Sequence, residues 1–113
     1  MDNCIFCKIA NGIIPSATVY EDDDFIIIRD IAPQAKYHYL AIPKKHFADV
    51  TEMTAEDAAL VGRILKKIGE LSESLGLTGG FRLVSNKGAD AMQSVPHLHI
   101  HILGGQKMSD KMC

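Results

Sequence analysis

Three histidines alternate with apolar residues in the segment 97–103, whose sequence is His-Leu-His-Ile-His-Ile-Leu. Successive side chains of a β-strand point to opposite faces of a sheet. We therefore expect a strand in which His97, His99 and His101 share one face, while the apolar residues between them pack into the core on the other. With 5 His among 113 residues, chance gives this spacing about 1% of the time.

The histidine row allows three interpretations. The first is a half-exposed strand with a merely solvated polar face, although Thr, Lys or Glu would serve as well there. The second is a metal site, but His97 and His101 would lie about 13 Å apart along a strand, too far to share one ion at ~2.0 Å bond lengths; two of the three histidines could still ligate a metal with help from elsewhere. The third is chemistry by imidazole itself, which is largely neutral and nucleophilic near pH 7 and can attack phosphorus to give a phospho-histidine intermediate.

The remaining pattern predicts strands arranged as hairpins around one long helix. Apolar positions recur at three- and four-residue steps over residues 55–75, as on one face of an α-helix. Thr54 and Asp57 are placed to form a capping box at its start, and Gly76 ends it. Further elements are predicted at residues 4–10 (helix), and at 19–20, 25–29, 37–43, 81–85 and 97–103 (strands). The chain is therefore expected to be α+β with a mainly antiparallel sheet.

Length and charge narrow the class of protein. At 113 residues the chain is expected to form one domain, residues 1–113, with a core of its own. A net charge of −2 gives no attraction to nucleic acid or anionic lipid, and no apolar run approaches the roughly 20 residues that span a bilayer. The first residues lack the basic and apolar regions of a signal peptide. We expect a cytoplasmic protein with no nucleic-acid and no membrane partner.

Three cysteines are present, and an odd number in a reducing compartment is not a disulfide framework. Cys4 and Cys7 form a Cys-x-x-Cys pair. A redox pair of the thioredoxin type should lie next to a βαβ unit, and no strand precedes this one. A zinc site needs two further ligands, and the pair is equally compatible with two buried thiols in a short helix. Cys113 is terminal, and we expect it to take no part in a site.

The segment 97–105 resembles the signature of the histidine triad superfamily, with each His followed by an apolar residue and the Gly104-Gly105 pair at the end. The residues Gln93-Ser94-Val95 ahead of it resemble the Hint branch, the nucleoside phosphoramidases. Further matches lie along nearly the whole chain, at residues 4–9 (Cys-Ile-Phe-Cys-Lys-Ile), 29–35 (Arg-Asp-Ile-Ala-Pro-Gln-Ala), 42–46 (Ile-Pro-Lys-Lys-His) and 86 (Asn). A set of this size is highly specific.

The resemblance implies a five-stranded antiparallel sheet with two helices that forms a homodimer with a continuous ten-stranded sheet. It also implies hydrolysis of the P–N bond of purine nucleoside 5′-phosphoramidates. His99 matches the nucleophile, which attacks phosphorus and forms a nucleotidyl-histidine that water then hydrolyses. His38 and His101 match the residues that orient the triad and contact the phosphate, and Ser94 matches a hydroxyl near the leaving group.

The nucleotide contacts implied by the resemblance come from several segments. Asp30 matches the carboxylate that holds the ribose hydroxyls, and Ile31 matches a residue against the base. The implied set comprises Asp30, Ile31, Asn86, Met92, Gln93, Ser94, His99 and His101. Because the sequence has no basic glycine-rich phosphate loop, imidazole and backbone N–H groups must meet the charge of the phosphate.

Some members of the superfamily also hold a structural zinc ion through a Cys pair and two histidines. The matching residues in this sequence are Cys4, Cys7, His46 and His97. This assignment leaves His99 free for chemistry. The zinc is expected to be structural, and the hydrolysis itself requires no cofactor.

Two features depart from the pattern of the Hint branch. Gln106 stands where relatives often carry Arg, and the tail 107–113 lacks the Trp-Pro-Pro-Gly ending, so the leaving-group preference stays open. An alternative to the enzyme is a nucleotide-binding regulatory module whose hydrolysis is incidental. The presence of His99 together with His38, His101 and Ser94 favours the enzyme. A third alternative, a zinc-dependent hydrolase, would lose activity directly when the metal is chelated.

Overall fold

The strands lie in one antiparallel sheet. The computed structural model describes residues 4–111, and Cys113 lies outside them. The elements, in chain order, are α1 (Ile5–Ala10), β1 (Thr18–Glu21), β2 (Phe25–Arg29), β3 (Tyr37–Pro43), α2 (Ala55–Leu71), β4 (Phe81–Val84) and β5 (Ile100–Gly104), with single 3₁₀ turns at Val50–Glu52 and Ala89–Ala91. The spatial order of the strands is β1-β2-β3-β5-β4, and each neighbouring pair is antiparallel. The predicted α+β class, with five antiparallel strands and two helices, is confirmed.

Each face of the sheet is covered by one helix. The apolar residues of α2 pack on the larger core cluster, which contains Phe25, Ile27, Tyr39, Ala41, Leu98, Ile100 and Ile102 from the sheet side. α1 covers the smaller cluster on the other face, which contains Ile26, Ile28, Leu40 and Ile42. Residues 25–28 are therefore all buried, although they alternate between the two faces. A continuous apolar run is what a strand covered on both faces requires.

The start of α2 follows the sequence prediction. The Thr54 hydroxyl accepts a hydrogen bond from the Asp57 N–H, and the Asp57 carboxylate accepts one from the Thr54 N–H, both at 3.1 Å. The capping box is confirmed. The same carboxylate lies 2.6 Å from the Lys45 ammonium, and the Lys45 hydrogen bond lowers the pKa of Asp57. The first turn of α2 is thus tied to the chain that follows β3.

The predicted end of α2 at Leu75 is wrong, because the helix ends at Leu71. The hydroxyls of Ser72 and Ser74 bond the carbonyls of Gly69 and Leu71, each at 2.8 Å. Serine hydroxyls that bond nearby backbone carbonyls compete with the helical ladder. The irregular turn that follows still buries Leu75, which is why the apolar pattern outlasts the helix.

The predicted start of β5 at His97 is also wrong, because the strand begins at Ile100. The Leu98 N–H donates to the Phe47 carbonyl at 2.7 Å, beyond the end of β3. The segment 97–99 is therefore hydrogen-bonded to the loop after β3 and does not pair with β3 itself. β1 extends one residue beyond the prediction at each end, β4 ends one residue earlier than predicted, and β5 ends one residue later.

α1 occupies the predicted place, with Cys4 as its N-cap. The Cys4 sulfur accepts a hydrogen bond from the Cys7 N–H at 3.2 Å, and Gly12 at φ +75° follows the helix. No helix within residues 4–111 is long and apolar enough to cross a membrane.

Candidate active site

The three histidines of segment 97–101 point to the side of the chain that faces α1, as the alternation predicts, although only His101 lies within β5. The apolar residues between them belong to the core cluster under α2. On the opposite face, the ring of Phe6 from α1 lies edge-on to His97 and His99, with ring centroids 6.2 and 4.8 Å apart. The His99 and His101 rings lie 5.1 Å apart. The site therefore lies between α1 and the sheet.

The hydrogen bond of His99 fixes which ring nitrogen carries its proton. Nδ1 of His99 lies 2.8 Å from the His97 carbonyl oxygen. A carbonyl oxygen only accepts, so Nδ1 carries the hydrogen and Nε2 keeps its lone pair. Burial lowers the pKa of His99, which keeps the imidazole neutral near pH 7. The geometry thus provides a buried imidazole whose Nε2 lone pair accepts no hydrogen bond from residues 4–111 and is available to attack an electrophile.

A second chain of hydrogen bonds orients His101. The Gln34 N–H donates to Nδ1 of His38 at 3.0 Å, so the proton of a neutral His38 is on Nε2. That Nε2 lies 2.9 Å from Nδ1 of His101 and donates to it. His101 therefore carries its own proton on Nε2. Burial, with His99 and His38 nearby, lowers the pKa of His101 to about 4, so the ring is a neutral N–H donor.

Asp30 completes this network at the end of β2. One carboxylate oxygen lies 3.4 Å from Nε2 of His38, and the other accepts from the Ala32 N–H at 2.8 Å. Ile31, the next residue, is fully exposed. The structure thus brings Asp30, His38, His101 and His99 together, with an exposed apolar side chain beside them.

The loop 86–96 supplies the other residues implied by the resemblance. The Gln93 amide donates to the carbonyls of Ala48 and Val95 at 2.8 and 3.2 Å and accepts from the Gly88 N–H at 2.9 Å. Gln93 therefore holds the loop together. Asn86 is half-buried, while Met92, with a left-handed backbone at φ 60°, is exposed.

Ser94 lies on a cleft of about 630 Å³ that it shares with Ile5, His46 and Glu52. Its hydroxyl makes no hydrogen bond to the histidine network within residues 4–111. The cleft connects the predicted leaving-group residue to the mouth of the Cys-x-x-Cys site.

Cys4, Cys7, His46 and His97 form a compact cluster. Nδ1 of His97 lies 3.2 Å from the Cys4 sulfur, 3.4 Å from the Cys7 sulfur and 3.2 Å from Nδ1 of His46, which is 3.1 Å from the Cys7 sulfur. A tetrahedral zinc site places nitrogen and sulfur ligands about 3.3–3.6 Å apart. All four donor atoms lie within 4.8 Å of one another, so the set fits one zinc ion.

The protonation pattern of His97 also fits a metal ligand. Nε2 lies 2.8 Å from the Pro43 carbonyl and carries the proton, so the lone pair on Nδ1 faces the two sulfurs. Burial lowers the pKa of His97 to about 4, which keeps that lone pair free. Burial and the neighbouring Cys4 raise the pKa of the Cys7 thiol to about 11, and a bound cation is what would ionise it.

A second group of potential ligands consists of Asp30, His38 and His101. A metal on Nε2 of His38 would require the proton to be on Nδ1, where it would meet the Gln34 N–H. The hydrogen-bond chain therefore identifies this group as a proton-carrying network and not a metal site.

Comparison with known proteins decides the family. The family profile described as "Scavenger mRNA decapping enzyme C-term binding" matches residues 3–112. Protein HitA of Neisseria gonorrhoeae is 47% identical over 104 residues, which cover 92% of this chain and 97% of HitA. The chain belongs to the histidine triad family. The solved structure of a histidine triad (HIT) family hydrolase from Legionella pneumophila Philadelphia 1 matches this histidine triad chain with a TM-score of 0.91 and 44% identity, over 96% of this chain and 97% of that one.

A further histidine triad structure bears on the metal cluster. A zinc-bound family protein from Mycobacterium smegmatis matches with a TM-score of 0.79 and 32% identity, over 99% of this chain and 81% of that one.

Four contacts of this histidine triad site were not predicted from the sequence. Phe6 packs on His99, and the Gln34 backbone N–H sets the proton of His38. The carbonyls of Pro43 and His97 set the protons of His97 and His99, respectively. Three of these contacts involve backbone groups, for which residue type carries no signal. The aromatic residue at position 6, between two cysteines, is the one signal that was available. Gln106, the departure from the branch, accepts from the Lys36 N–H at 2.7 Å and so fastens the loop before β3.

The lowered pKa of His101 predicts a pH-dependent stability. The pKa of His101 is about 4 in the folded protein and about 6.5 in an unfolded chain. Between these two pH values the unfolded chain therefore binds more protons than the folded protein. The contribution of His101 to the free energy of unfolding is therefore fully present above about pH 6.5. As the pH falls to about 4, proton binding by the unfolded chain lowers the free energy of unfolding by about 3 kcal/mol. Urea unfolding across this range checks it. His101→Asn should show a shallower loss than the native chain, and parallel curves would contradict the assignment.

Proposed function

We propose that the protein hydrolyses purine nucleoside 5′-phosphoramidates through a nucleotidyl-histidine intermediate on His99. The observation that carries the proposal is a pair of hydrogen bonds, one from Nδ1 of His99 to the His97 carbonyl and one from Nε2 of His38 to Nδ1 of His101. They assign a lone pair to Nε2 of His99 and an N–H to Nε2 of His101. One group can attack phosphorus while the other donates to a phosphate oxygen. The description of the Legionella relative as a hydrolase supports the reaction class.

The first step forms the covalent intermediate. Nε2 of His99 forms a bond to the α-phosphorus as the P–N bond breaks. The amine leaves with the bonding pair and takes up one proton from solvent, relayed by the Ser94 hydroxyl, which gives one proton and regains another. The ring becomes cationic, with its proton retained on Nδ1. The His97 carbonyl, 2.8 Å from Nδ1, stabilises that charge, as an orienting acceptor does in other nucleophile–orienter arrangements.

The second step releases the product. Water attacks phosphorus, the bond to Nε2 breaks, and His99 leaves as the neutral Nδ1–H imidazole. One proton of the water stays on the phosphate, and the other returns to solvent in place of the proton taken up in the first step. The products are the nucleoside monophosphate and regenerated enzyme. Because His101 stays neutral, its N–H holds the phosphate through both steps without strong charge attraction for the anionic product.

The nucleoside is proposed to bind beside the histidines at the end of β2. The Asp30 carboxylate would accept from the ribose hydroxyls, and the exposed Ile31 would contact the base. The other proposed contacts come from the loop after β4: Asn86, Met92, Gln93 and Ser94. Gln93 acts there by holding the loop.

Steady-state hydrolysis of adenosine 5′-phosphoramidate by the native chain tests this function. We expect AMP and ammonia as products. A native protein that binds AMP in calorimetry but releases no product would contradict the enzyme and support the regulatory module.

Equal activity after chelation and reloading with several different divalent ions would speak against a zinc-dependent hydrolase.

We also propose that the four-residue cluster of Cys4, Cys7, His46 and His97 holds a structural zinc ion. Its donor chemistry and spacing fit zinc, and the M. smegmatis relative is described as zinc-bound. The ion would fasten α1 to the segment before β5, and no reaction step passes through it. Elemental analysis of the purified protein should find about one zinc per chain.

The protein is further proposed to form a homodimer through β4. This strand is an edge of the sheet, and its outer backbone groups, which pair with no strand among the described residues 4–111, can extend the sheet. Beside it, Val50, Leu65 and Leu83 are exposed and surround an apolar hollow of about 170 Å³. A two-fold pairing of β4 strands would cover this surface and give the expected ten-stranded sheet.

Leu83→Glu is expected to convert the dimer to a monomer, because a charge would be buried in an apolar contact. Light scattering after size-exclusion chromatography measures the mass. Ile13→Glu is the matched control, since Ile13 is an exposed apolar residue, 71% accessible, remote from β4 in the sequence and expected to leave the mass unchanged. A native monomer, or an Leu83→Glu dimer, would overturn the proposed interface.

A further inference from the structure

His97 belongs both to the metal cluster and to the support of the nucleophile. Its imidazole faces the sulfurs of Cys4 and Cys7. Its backbone carbonyl accepts the Nδ1–H of His99 at 2.8 Å. One buried residue, with 0% of its surface exposed, thus links the two sites directly.

The sheet does not hold the carbonyl of His97. The β3–β5 ladder begins at Ile100, so residue 97 has no strand partner. Its imidazole is instead fixed at both nitrogens, by the Pro43 carbonyl at 2.8 Å and by the cluster at 3.2–3.4 Å. The orientation of the carbonyl therefore depends on the side chain of the same residue.

A second connection runs through α1. This helix has six residues, too few to be stable alone, and two of the four cluster residues, Cys4 and Cys7, lie at its start. Phe6 lies between them in the sequence, and its ring meets His99 at 4.8 Å between centroids. A ligand that binds Cys4 and Cys7 would therefore also hold Phe6 against His99.

We propose that Cys4, Cys7 and His46, with the zinc they hold, are positioning residues for His99: they hold the His97 carbonyl and Phe6 so that the His99 proton stays on Nδ1. This inference rests on the proposed role of His99 as nucleophile. Without the zinc-filled cluster, His99 would also populate the Nε2–H tautomer, in which a proton occupies the nitrogen that attacks phosphorus.

The tautomer of His99 tests the proposal without any turnover. Long-range ¹H–¹⁵N NMR of imidazole-labelled protein distinguishes the two tautomers. In zinc-loaded protein we expect the Nδ1–H pattern for His99. After removal of zinc by a chelator, or in Cys7→Ser, we expect a mixture of tautomers. A pure Nδ1–H pattern in folded, zinc-free protein would overturn the proposal.

Kinetics provide the second readout. In Cys7→Ser we expect kcat for adenosine 5′-phosphoramidate to fall about 10- to 100-fold, as misplacement by about 1 Å can cause. KM should change less than about threefold, since no nucleotide contact is altered. Tyr39→Phe is the control for general destabilisation, because it removes a buried hydrogen bond to the Leu75 carbonyl on the other face of the sheet. An equal loss of kcat in Cys7→Ser and Tyr39→Phe would show that the cluster only stabilises the fold, and would overturn its proposed positioning role.

Exchange of the metal keeps the test valid if zinc-free protein unfolds. Cd²⁺ forms longer bonds to sulfur than Zn²⁺ and keeps the cluster filled. We expect it to move the His99 imidazole signals more than those of His38, and unchanged His99 signals would overturn the proposal. Absence of turnover in native zinc protein would contradict the proposed function alone, because the NMR result does not depend on turnover.

Discussion

Replacing His99 with Ala is expected to lower kcat for adenosine 5′-phosphoramidate by about 10⁴-fold or more, the scale seen when a covalent nucleophile is removed. Alanine offers no atom to form the bond to phosphorus. Direct attack of water on the bound substrate is the remaining route, because the contact proposed between His101 and the phosphate is retained. Steady-state release of AMP by the native chain and by His99→Ala measures the difference.

Two controls separate lost chemistry from lost structure in His99→Ala. The variant should bind AMP with an affinity within about tenfold of the native chain, since one phosphate contact is worth about 1 kcal/mol. Its far-ultraviolet circular dichroism should match that of the native chain. Retention of more than a tenth of the native kcat would show that His99 is not the nucleophile.

Replacing Ile102 with Ala is expected to lower the free energy of unfolding by about 3–4 kcal/mol, because it leaves a cavity in a close-packed core. Ile102 is 0% exposed in the cluster under α2. Urea unfolding at fixed protein concentration measures the loss, and the fixed concentration removes any contribution from dimerisation.

Leu103→Ala is the matched control for Ile102→Ala. Leu103 is the next residue of β5, points to the opposite face and is only half-buried. Its truncation is expected to cost about 1 kcal/mol. Equal losses in the two variants would contradict the two-faced arrangement of this strand, which places His101 on the face opposite Ile102.

The sequence predicted the elements whose pattern is local. The alternation over 97–103 placed His97, His99 and His101 on one face, because the period of two is inherent to extended chain. The capping box of Thr54 and Asp57 was predicted from two residue types three positions apart.

The errors arose where tertiary contacts override a local pattern. Leu75 fits the helical period but is buried by an irregular turn after Leu71, where serine hydroxyls bond the last carbonyls. His97 fits the strand period but leaves the sheet because Leu98 bonds to the Phe47 carbonyl. Apolar periodicity reports which side chains are buried and does not report the hydrogen bonds of the backbone.

The candidate active site likewise contains residues that the sequence predicted and protonation states that it did not. The resemblance to the histidine triad family supplied Asp30, His38 and the cluster residues, and the structure brings the histidines and Asp30 into contact. The protonation pattern was not predictable, because it depends on backbone groups of Gln34, Pro43 and His97. Any residue type offers the same carbonyl or N–H, so only the fold shows which of them faces an imidazole.

The most direct test of the central claim is to trap the intermediate. Native protein mixed in excess with adenosine 5′-phosphoramidate, quenched during a single turnover and analysed by mass spectrometry without acid, should carry one adenylyl group. Peptide mapping should place that group on His99, and the signal should decay as AMP appears. AMP formation with no adduct at any time, or an adduct on another residue, would contradict the nucleotidyl-histidine mechanism.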